Sequence, residues 1–503
     1  MLLLLLLLVL LLALATWWRA SWSNSHWRRR GICGPPGGPL LGNMAHFALG
    51  QRSYGEVYAQ IYREHPGLRY VGFYRLFNEP ALLVRDQRLL REILVGNGFA
   101  CCADNAVHVD AQRDVLASCN PFIASGDRWR KLRGDLVPLF TPSRLRQTLP
   151  HVAAACQQLR AFVERRLSRE RFEAKALATR YTLQVIASAA FGLDAHCLCQ
   201  DERQERGSEW LEWLVPLFQP SAWSLPETMA LLHSPRLASI LQHRYVPLAL
   251  QHWLCDLVRT SASASGSANC FLHWLGEQQG SDLAGHATTL LLEGYETSAM
   301  LLAFALYELS LNESVQRRVH AELTEVAKRH GGPLLGHAAL TELRYAEATL
   351  LETLRLHPAM QALQKRCTKS FTLPAQRCDK DEDTETDTET DSSLQVALGT
   401  VLVLPVQAIH LDPQLYAEPL RFQPERFMDT SPGLGCRFLA FGAGPRMCPG
   451  MRLGLAQTKA ALVTLLQDYS VHLADQRQAA VQVSPLTFLT ASKQGIWLQL
   501  RKR

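Results

Sequence analysis

The stretch Phe441-Gly442-Ala443-Gly444-Pro445-Arg446-Met447-Cys448-Pro449-Gly450 places one cysteine among glycines and prolines, just before a long apolar run that begins at Met451. Glycine adopts backbone conformations that other residues avoid, so the stretch predicts a tight loop followed by a helix. Such a loop presents the Cys448 sulfur near the backbone N–H groups that begin the helix, where a thiolate is stabilised. A thiolate among N–H donors suits an iron ligand. A glycine-rich turn with one buried cysteine is the alternative.

Taken whole, these ten residues resemble the haem-binding signature of cytochromes P450, Phe-x-x-Gly-x-Arg-x-Cys-x-Gly. The resemblance implies that Cys448 is the axial ligand of the iron in haem b, iron protoporphyrin IX. It also implies that Phe441, Arg446 and Gly450 belong to the cofactor-binding loop, with Arg446 on a haem propionate. The other motifs of the family should then recur in the same chain.

The composition is that of a globular protein with a sizeable core. Hydrophobic residues make up 48% of the 503 positions, and the formal net charge is +6. This charge permits a basic docking face but, without runs of lysines and aromatics, it does not indicate nucleic-acid binding. The 13 cysteines show no zinc-binding spacing. Most of them are interpreted as small buried hydrophobes in a reducing compartment.

The amino terminus predicts a membrane anchor. Residues 2–15 are entirely apolar, and two tryptophans extend the run to its first charge, Arg19. A run of about 17 residues is within the range of a membrane span, and Arg28-Arg29-Arg30 follows it, which favours a cytosolic main domain. A cleaved signal peptide with Ala13-x-Ala15 as its cleavage site is the alternative. We expect an anchor at residues 1–18, a basic, proline-rich hinge at 19–39 and the catalytic domain at 40–503.

The rest of the chain predicts a mainly α-helical fold with small β-sheets. Strand-like runs at 68–73 and 81–84 lie among helical stretches at 54–62 and 87–95. Apolar residues at three- and four-residue spacing predict helices over residues 145–259. The sequence also predicts one long apolar helix over residues 281–312 and a strand over residues 396–404. Residues 379–393 are acidic and rich in threonine, which predicts a disordered surface insertion. The family resemblance covers about residues 34–503 and implies the P450 fold.

Trp129 and Arg133 are four residues apart, so they share one face if residues 126–133 form a helix. An indole N–H and a guanidinium can both hydrogen-bond a carboxylate. An amphipathic surface helix is the alternative. The Trp-x-x-x-Arg pattern resembles the P450 motif that binds a haem propionate, which implies this role for both residues. A further basic residue of this kind is expected at Lys365 or Arg366.

The centre of the long helix is polar, with the sequence Glu293-Gly294-Tyr295-Glu296-Thr297. It resembles the oxygen-activation motif of P450s, which implies that Glu296 and Thr297 form the catalytic acid–hydroxyl pair that relays protons to iron-bound dioxygen. Glu293 departs from the small residue usual in the motif. One P450 family carries a glutamate there and esterifies it to a haem methyl group. A covalent haem link is one hypothesis for Glu293, and a hydrogen bond within the pocket is the other.

Glu352 and Arg355 lie three residues apart within a helical stretch that ends at Pro358. The pattern resembles the Glu-x-x-Arg of P450 helix K, whose pair joins the arginine of Pro424-Glu425-Arg426-Phe427. The resemblance implies a buried structural network of Glu352, Arg355 and Arg426 beneath the haem.

Five motifs in the family's order identify the chain as a member of the cytochromes P450, similar to the insect-type microsomal clan that metabolises xenobiotics and endogenous lipids. The resemblance implies monooxygenation of a lipophilic molecule at the endoplasmic reticulum. Electrons would come from NADPH through the FAD and FMN of NADPH–cytochrome P450 reductase, with cytochrome b5 as a second donor. A reductase-independent haem-thiolate isomerase or dehydratase and a non-catalytic haem carrier are the alternatives. The substrate stays open among fatty acids, steroids, hormones and toxins.

Overall fold

The computed structural model describes residues 25–107, 109–166, 170–199, 208–219, 221, 223–233, 240, 244–263, 270–276, 282–331, 334–374, 376, 393–428, 435–475 and 479–503. The predicted anchor at residues 1–18 and nearly all of the predicted acidic insertion lie outside these ranges. Within them the chain is mainly helical with small sheets, which confirms the predicted fold class.

The α-helices of the described ranges are α1 (Ala45–Ala48), α2 (Tyr54–Glu64), α3 (Gln87–Leu94), α4 (Phe99–Cys102), α5 (Val115–Ser118), α6 (Gly126–Leu136), α7 (Pro142–Arg166), α8 (Ala174–Phe191), α9 (Glu209–Leu214), α10 (Ser224–His233), α11 (Leu248–Ser263), α12 (Phe271–Gly276), α13 (Leu283–Leu311), α14 (Glu313–His330), α15 (His337–Glu342), α16 (Arg344–Leu356), α17 (Val406–His410) and α18 (Met451–Asp468).

The β-strands are β1 (Tyr70–Tyr74), β2 (Pro80–Val84), β3 (Asp104–Asn105), β4 (Arg171–Glu173), β5 (Leu363–Arg366), β6 (Phe371–Leu373), β7 (Leu394–Val396), β8 (Val401–Leu404), β9 (Tyr469–Leu473) and β10 (Trp497–Lys502). They form a five-stranded sheet in the order β1-β2-β8-β5-β3, a three-stranded sheet in the order β4-β10-β9 and the pair β6-β7. Strands β2 and β8 run parallel, and the other neighbours are antiparallel.

Helix α13 runs through the core. It confirms the long helix predicted over residues 281–312. Within the described ranges it is the one helix long and apolar enough to cross a membrane, but 83% of its most apolar window is buried inside the protein. A helix that is apolar all round and buried in this way is a core helix.

Helix α13 packs closely on α8 and α18. A Cβ atom at Gly294 would lie 2.7 Å from Cδ1 of Ile186 on α8, so a larger residue there would require the Ile186 side chain to shift. On the α18 side, Gln457 Nε2 donates to the Gly294 carbonyl at 3.1 Å and to Ser298 Oγ at 2.7 Å. The middle of α13 is therefore fixed between two helices, and α18 begins immediately after the Cys448 loop.

The described part of the predicted hinge packs on the five-stranded sheet. Trp27 is buried and its Nε1 donates to the Phe73 carbonyl at 2.9 Å. A Cβ atom at Gly34 would lie 1.7 Å from the Gly72 carbonyl oxygen, so the proline-rich segment rests directly against β1. Packing on the globular body thus begins before residue 40.

Two features of the secondary structure differ from the sequence prediction. The strand expected over residues 396–404 is two strands, because the chain turns between β7 and β8 at Gly399, which has a φ of 85°. The helical texture of residues 145–259 is interrupted by β4, which pairs with β10 near the carboxyl terminus. A strand that pairs with a partner so distant in sequence leaves no local sequence pattern from which it could be predicted.

Most free cysteines of the described ranges are buried among apolar side chains, as expected of small hydrophobes. Cys33 differs from them because it is disulfide-bonded.

Candidate active site

A cavity of about 280 Å³ separates α13 from the Cys448 loop. Its walls come from α6, α13, β5, the loop before α6 and the turn before α18. Among the residues singled out from the sequence, those that line it are Trp129, Arg133, Glu293, Thr297, Lys365, Phe441, Arg446, Cys448 and Gly450. Glu296, Glu352, Arg355 and Arg426 are not among its lining residues.

The loop that carries Cys448 is a tight turn, as its glycines predict. The Cys448 N–H donates to the Phe441 carbonyl at 2.9 Å, which closes the loop. Gly444 has a φ of 68°, and a Cβ atom there would lie 2.0 Å from the Leu94 carbonyl oxygen. Glycine is therefore required both by the backbone conformation and by the contact with α3.

Cys448 lines the cavity, and its side chain is exposed to it. Burial raises the pKa of its thiol to about 11, although the N–H groups of Gly450 and Met451 act in the opposite direction. The helix start thus favours the thiolate as expected, but by itself it does not outweigh burial. A bound metal ion would deprotonate the thiol outright, because coordination stabilises the thiolate far more than these N–H groups do.

Three cationic side chains gather on the same side of the cavity. Arg446 donates to Asp104 Oδ1 at 3.0 Å and lies over the Trp129 ring, with Cζ 4.1 Å from the ring centroid. Arg133 donates to the Met447 carbonyl at 2.7 Å. Burial and the charge of Arg446 lower the pKa of Lys365 to about 7. Burial and neighbouring positive charges disfavour the charged form of such side chains, so a ligand that brings carboxylates would stabilise them.

Lys365, rather than Arg366, is the basic residue of β5 that reaches the cavity. The register of β3 and β5 sets Lys365 opposite Asn105, and Lys365 Nζ donates to Asn105 Oδ1 at 2.8 Å. Arg366 lies next along the strand and does not line the cavity. Since successive side chains of a strand point to opposite faces, one of the two had to point away.

The buried indole of Trp129 offers the strongest sign of a ligand on this side. Its Nε1 is a buried donor that has no hydrogen-bond partner within the described ranges. An unpaired buried donor costs roughly 1–3 kcal/mol. Beside Arg133 and Arg446, this donor fits the carboxylates of haem. The residues present therefore fit the cofactor: a cysteine sulfur for the iron, and a cationic and N–H-donating edge for the propionates.

Glu293 brings a carboxyl group to the wall formed by α13. Asn120 Nδ2 donates to its Oε1 at 2.7 Å, and Asn120 Oδ1 accepts from the Phe122 N–H at 2.8 Å. Burial raises the pKa of Glu293 above its ordinary value, and the bond from Asn120 partly opposes that rise. The sequence did not single out Asn120, because it lies in an irregular loop where no periodicity marks a cavity-facing residue.

Thr297 and Glu296 lie on different sides of α13. Thr297 lines the cavity that contains Cys448, and its Oγ1 donates to the Glu293 carbonyl at 2.9 Å. Glu296 is buried in an ion pair with Lys175 and lines a second cavity of about 520 Å³. Phe218 lines both cavities, so the two are neighbours.

The structure brings Glu352, Arg355 and Arg426 together. Arg355 donates from Nε and Nη2 to the two carboxylate oxygens of Glu352 at 2.7 and 2.8 Å, and both side chains are fully buried. Arg426 Nε lies 3.4 Å from Glu352 Oε1. The Nη1 of Arg355 donates to the carbonyls of His410 and Pro419 at 2.8 and 2.7 Å, which ties α16 to the segment before the Cys448 loop.

His410 is a structural residue that the sequence did not single out. Its Nε2 accepts from the Leu439 N–H at 2.8 Å, and its Nδ1 lies 3.1 Å from the Arg355 carbonyl. Both contacts are satisfied only if the proton of a neutral ring is on Nδ1. Burial and Arg355 lower the pKa of His410 to about 3, in agreement with a neutral ring. His410 thus connects the buried network to the residue two before Phe441.

Comparison with known proteins agrees with this geometry. The family model described as "Cytochrome P450" matches residues 33–498. The chain is 68% identical over 487 residues to "Probable cytochrome P450 308a1" of Drosophila melanogaster, with 96% of each chain covered. It is 30% identical to "Probable cytochrome P450 6a13" of the same species, with 95% of each covered. It is 28% identical to "Cytochrome P450 6j1" of Blattella germanica, with 95% of this chain and 93% of the relative covered.

Proposed function

The chain belongs to the cytochrome P450 family and is a haem-thiolate monooxygenase, and we propose that it inserts one oxygen atom from dioxygen into a lipophilic small molecule with electrons from NADPH. The observation that carries the proposal is the position of Cys448 in one cavity with Thr297 and Glu293. An iron ligand, a proton-handling hydroxyl and space for a substrate are thereby brought together.

The residues of the chain divide into three groups by task. Haem, when bound, would supply the iron that activates dioxygen, and Cys448 would hold that iron through its thiolate. Trp129, Arg133, Lys365 and Arg446 would hold the propionates. Thr297 would hold a proton at Oγ1 close to the reacting oxygen.

Glu296 is the proposed source of that proton. Its carboxyl lies in the second cavity beside Lys175, and burial raises its pKa while Lys175 opposes the rise. A carboxyl with a raised pKa is protonated more readily near neutral pH, as a general acid requires. Because Glu296 and Thr297 lie on different sides of α13, the relay needs a side-chain movement or an intervening water.

We further propose that the amino-terminal anchor holds the protein in the endoplasmic reticulum membrane with the catalytic domain in the cytosol. The electron donor would be NADPH–cytochrome P450 reductase, through its FAD and FMN, with cytochrome b5 as a second donor. The formal net charge of +6 permits a basic docking face for these donors.

The experiment combines the purified full chain with a P450 reductase, NADPH and a mixed lipophilic extract. Mass spectrometry should detect products heavier by one oxygen that form only with NADPH, and isotopic dioxygen should label them. Protein that forms the thiolate-type carbon monoxide complex yet gives no product across broad extracts would overturn the monooxygenase proposal. It would favour a reductase-independent isomerase or a haem carrier.

A further inference from the structure

The wall of the cavity formed by α13 carries a polar group that the proposed chemistry does not use. Glu293 lies four residues before Thr297 and lines the same cavity. Apolar residues that line the same cavity include Leu290 on α13 and Phe122 and Ile123 in the loop before α6. A ligand pocket is usually apolar with a few polar groups that fix the orientation of the ligand, and Glu293 has the position of such a group.

The contacts of Glu293 leave one of its carboxyl oxygens available. Asn120 Nδ2 donates a hydrogen bond to Oε1. The Phe122 N–H donates to Asn120 Oδ1, which orients the amide so that Nδ2 faces Glu293. No hydrogen bond to Oε2 is present within the described ranges. In the neutral form this oxygen can donate to a ligand, and in the ionised form it accepts from one.

The cations of the cavity do not neutralise Glu293. The cationic residues that line the cavity in the described ranges are Arg133, Lys365 and Arg446, and each has a contact other than Glu293. They contact the Met447 carbonyl, Asn105 and the Trp129 ring, respectively. The influences on the pKa of Glu293 are burial, which raises it, and the Asn120 bond, which lowers it. The Glu293 side chain is exposed to the cavity, so a ligand that brings a positive charge or a hydroxyl to Oε2 would supply the partner that this oxygen lacks within the described ranges.

Tyr245 adds a second polar group on the same side. Its ring lines the cavity, and burial raises the pKa of its phenol well above the ordinary value, with Glu293 as the next contribution. A phenol with a raised pKa stays a donor. Together Glu293 and Tyr245 can hold a group that both donates and accepts hydrogen bonds.

We propose that Glu293, positioned by Asn120, is the anchoring site for a hydrogen-bond-donating group on the substrate, a hydroxyl or a protonated amine, and that it disfavours substrates that end in a carboxylate. The inference rests on the proposed function, since it names the class of molecule that the same cavity takes. A carboxylate at this position would meet the Glu293 carboxyl, to which none of the three cations that line the cavity is bonded in the described ranges.

The test measures binding to the haem-loaded full chain by equilibrium dialysis, with four ligands that share one hydrocarbon chain. They are decan-1-ol, its methyl ether, N,N-dimethyldecylamine and decanoic acid. The ether cannot donate a hydrogen bond, and the methyl groups of the amine hinder direct bonding to iron. We expect the alcohol and the amine to bind about tenfold tighter than the ether, and the acid to bind no tighter than the ether.

Variants of Glu293 test whether this residue causes the preference for the alcohol and the amine over the ether. Glu293→Leu should bring the dissociation constants of the alcohol and the amine to that of the ether. Glu293→Gln should preserve most of the preference for the alcohol and remove that for the amine, because an amide hydrogen-bonds but cannot ionise. Glu325→Gln is the matched control, since Glu325 lies on α14 with an exposed side chain and should change no ligand's binding.

If Glu293→Leu does not fold, Asn120→Ala gives the same information. It leaves the carboxyl in place without its positioning bond, and the advantage of alcohol and amine over ether should fall several-fold while ether binding is unchanged. An unaltered order of the four ligands in these variants, or tightest binding of decanoic acid, would overturn the inference. Protein without a thiolate-type carbon monoxide complex would instead overturn the proposed function, so the two failures are distinguishable.

Discussion

Glu293 stands where the family's motif usually has a small residue, and Asn120 Nδ2 donates to its Oε1 at 2.7 Å. A carboxyl oxygen that accepts a hydrogen bond from a fixed amide is held in place within the cavity wall. This is a hydrogen bond within the pocket, as the second of the two hypotheses drawn from the sequence expects, and it leaves Oε2 as the oxygen that an ester to a haem methyl group would need. We propose the free, hydrogen-bonded carboxyl.

Acid–organic extraction of the haem tests whether Glu293 forms an ester with it. We expect the haem to leave the purified, denatured protein completely and to migrate in chromatography as unmodified haem b. The Glu293→Ala variant is the control, since it cannot form an ester. Haem that stays with the wild-type polypeptide but leaves the variant would establish the covalent link and contradict our expectation.

The neutral ring of His410 predicts a specific dependence of stability on pH. The pKa of His410 is about 3 in the folded protein and about 6.5 when unfolded, so the unfolded state binds more protons between these values. The contribution of His410 is fully present above pH 6.5 and is lost as the pH falls toward 3, at about 1.4 kcal/mol per pH unit.

Urea unfolding at a series of pH values measures the effect. The free energy of unfolding of His410→Gln should fall less steeply than that of the wild type between pH 6.5 and 4. His320 has a lowered pKa of about 4 and is present in both proteins, so the difference between them isolates His410. Parallel curves would show that His410 is not buried as a neutral ring.

At the scale of the element, the connection between α16 and the Cys448 loop depends on one fully buried ion pair. Arg355 satisfies Glu352 with two hydrogen bonds and uses its remaining donor group on backbone carbonyls. Removing one member leaves the other charge buried without its partner, which typically costs about 3–5 kcal/mol.

We therefore expect Arg355→Met to lower the free energy of unfolding by about 3–5 kcal/mol and to reduce haem retention. Arg421→Gln is the matched control, because Arg421 forms an i,i+3 pair with Glu418 and both side chains are exposed. Exposed pairs contribute about 0–1 kcal/mol. Equal losses in the two variants, measured by chemical unfolding, would show that the buried pair has no special role.

Much of this arrangement was predictable from the sequence, and the exceptions have physical causes. Helix α13 is mostly apolar on both sides of its polar centre, so its bounds were predicted within two residues. The family resemblance pairs Glu296 with Thr297, yet a helix turns by about 100° per residue, and the two side chains line different cavities. Asn120 and His410 act through contacts with residues far away in the chain, which no local periodicity encodes.

At the scale of the whole molecule, the predicted acidic insertion interrupts a small sheet without disturbing its pairing. The chain leaves β6 at Leu373 and returns to β7 at Leu394, and these two residues are paired antiparallel partners. The ends of the connection are therefore already close together, and a short loop can join them at little entropic cost.

Replacing residues 379–391 with a short glycine–serine turn should leave haem binding and the free energy of unfolding within about 0.5 kcal/mol of the wild type. Thermal and urea unfolding of the haem-loaded proteins measure the difference. A large loss of stability, or loss of haem, would show that the insertion packs on the catalytic domain.

The proposed function depends on Cys448 as the iron ligand. The most direct measurement is the difference spectrum of the reduced protein with carbon monoxide, recorded for the wild type, Cys448→Ala and Cys255→Ala, where Cys255 is a partly exposed cysteine on α11. The wild type and Cys255→Ala should give the thiolate-type spectrum, and Cys448→Ala should lose it while circular dichroism shows a folded protein. A thiolate-type spectrum that persists in Cys448→Ala would contradict the assignment of the haem ligand and, with it, the proposed chemistry of the cavity.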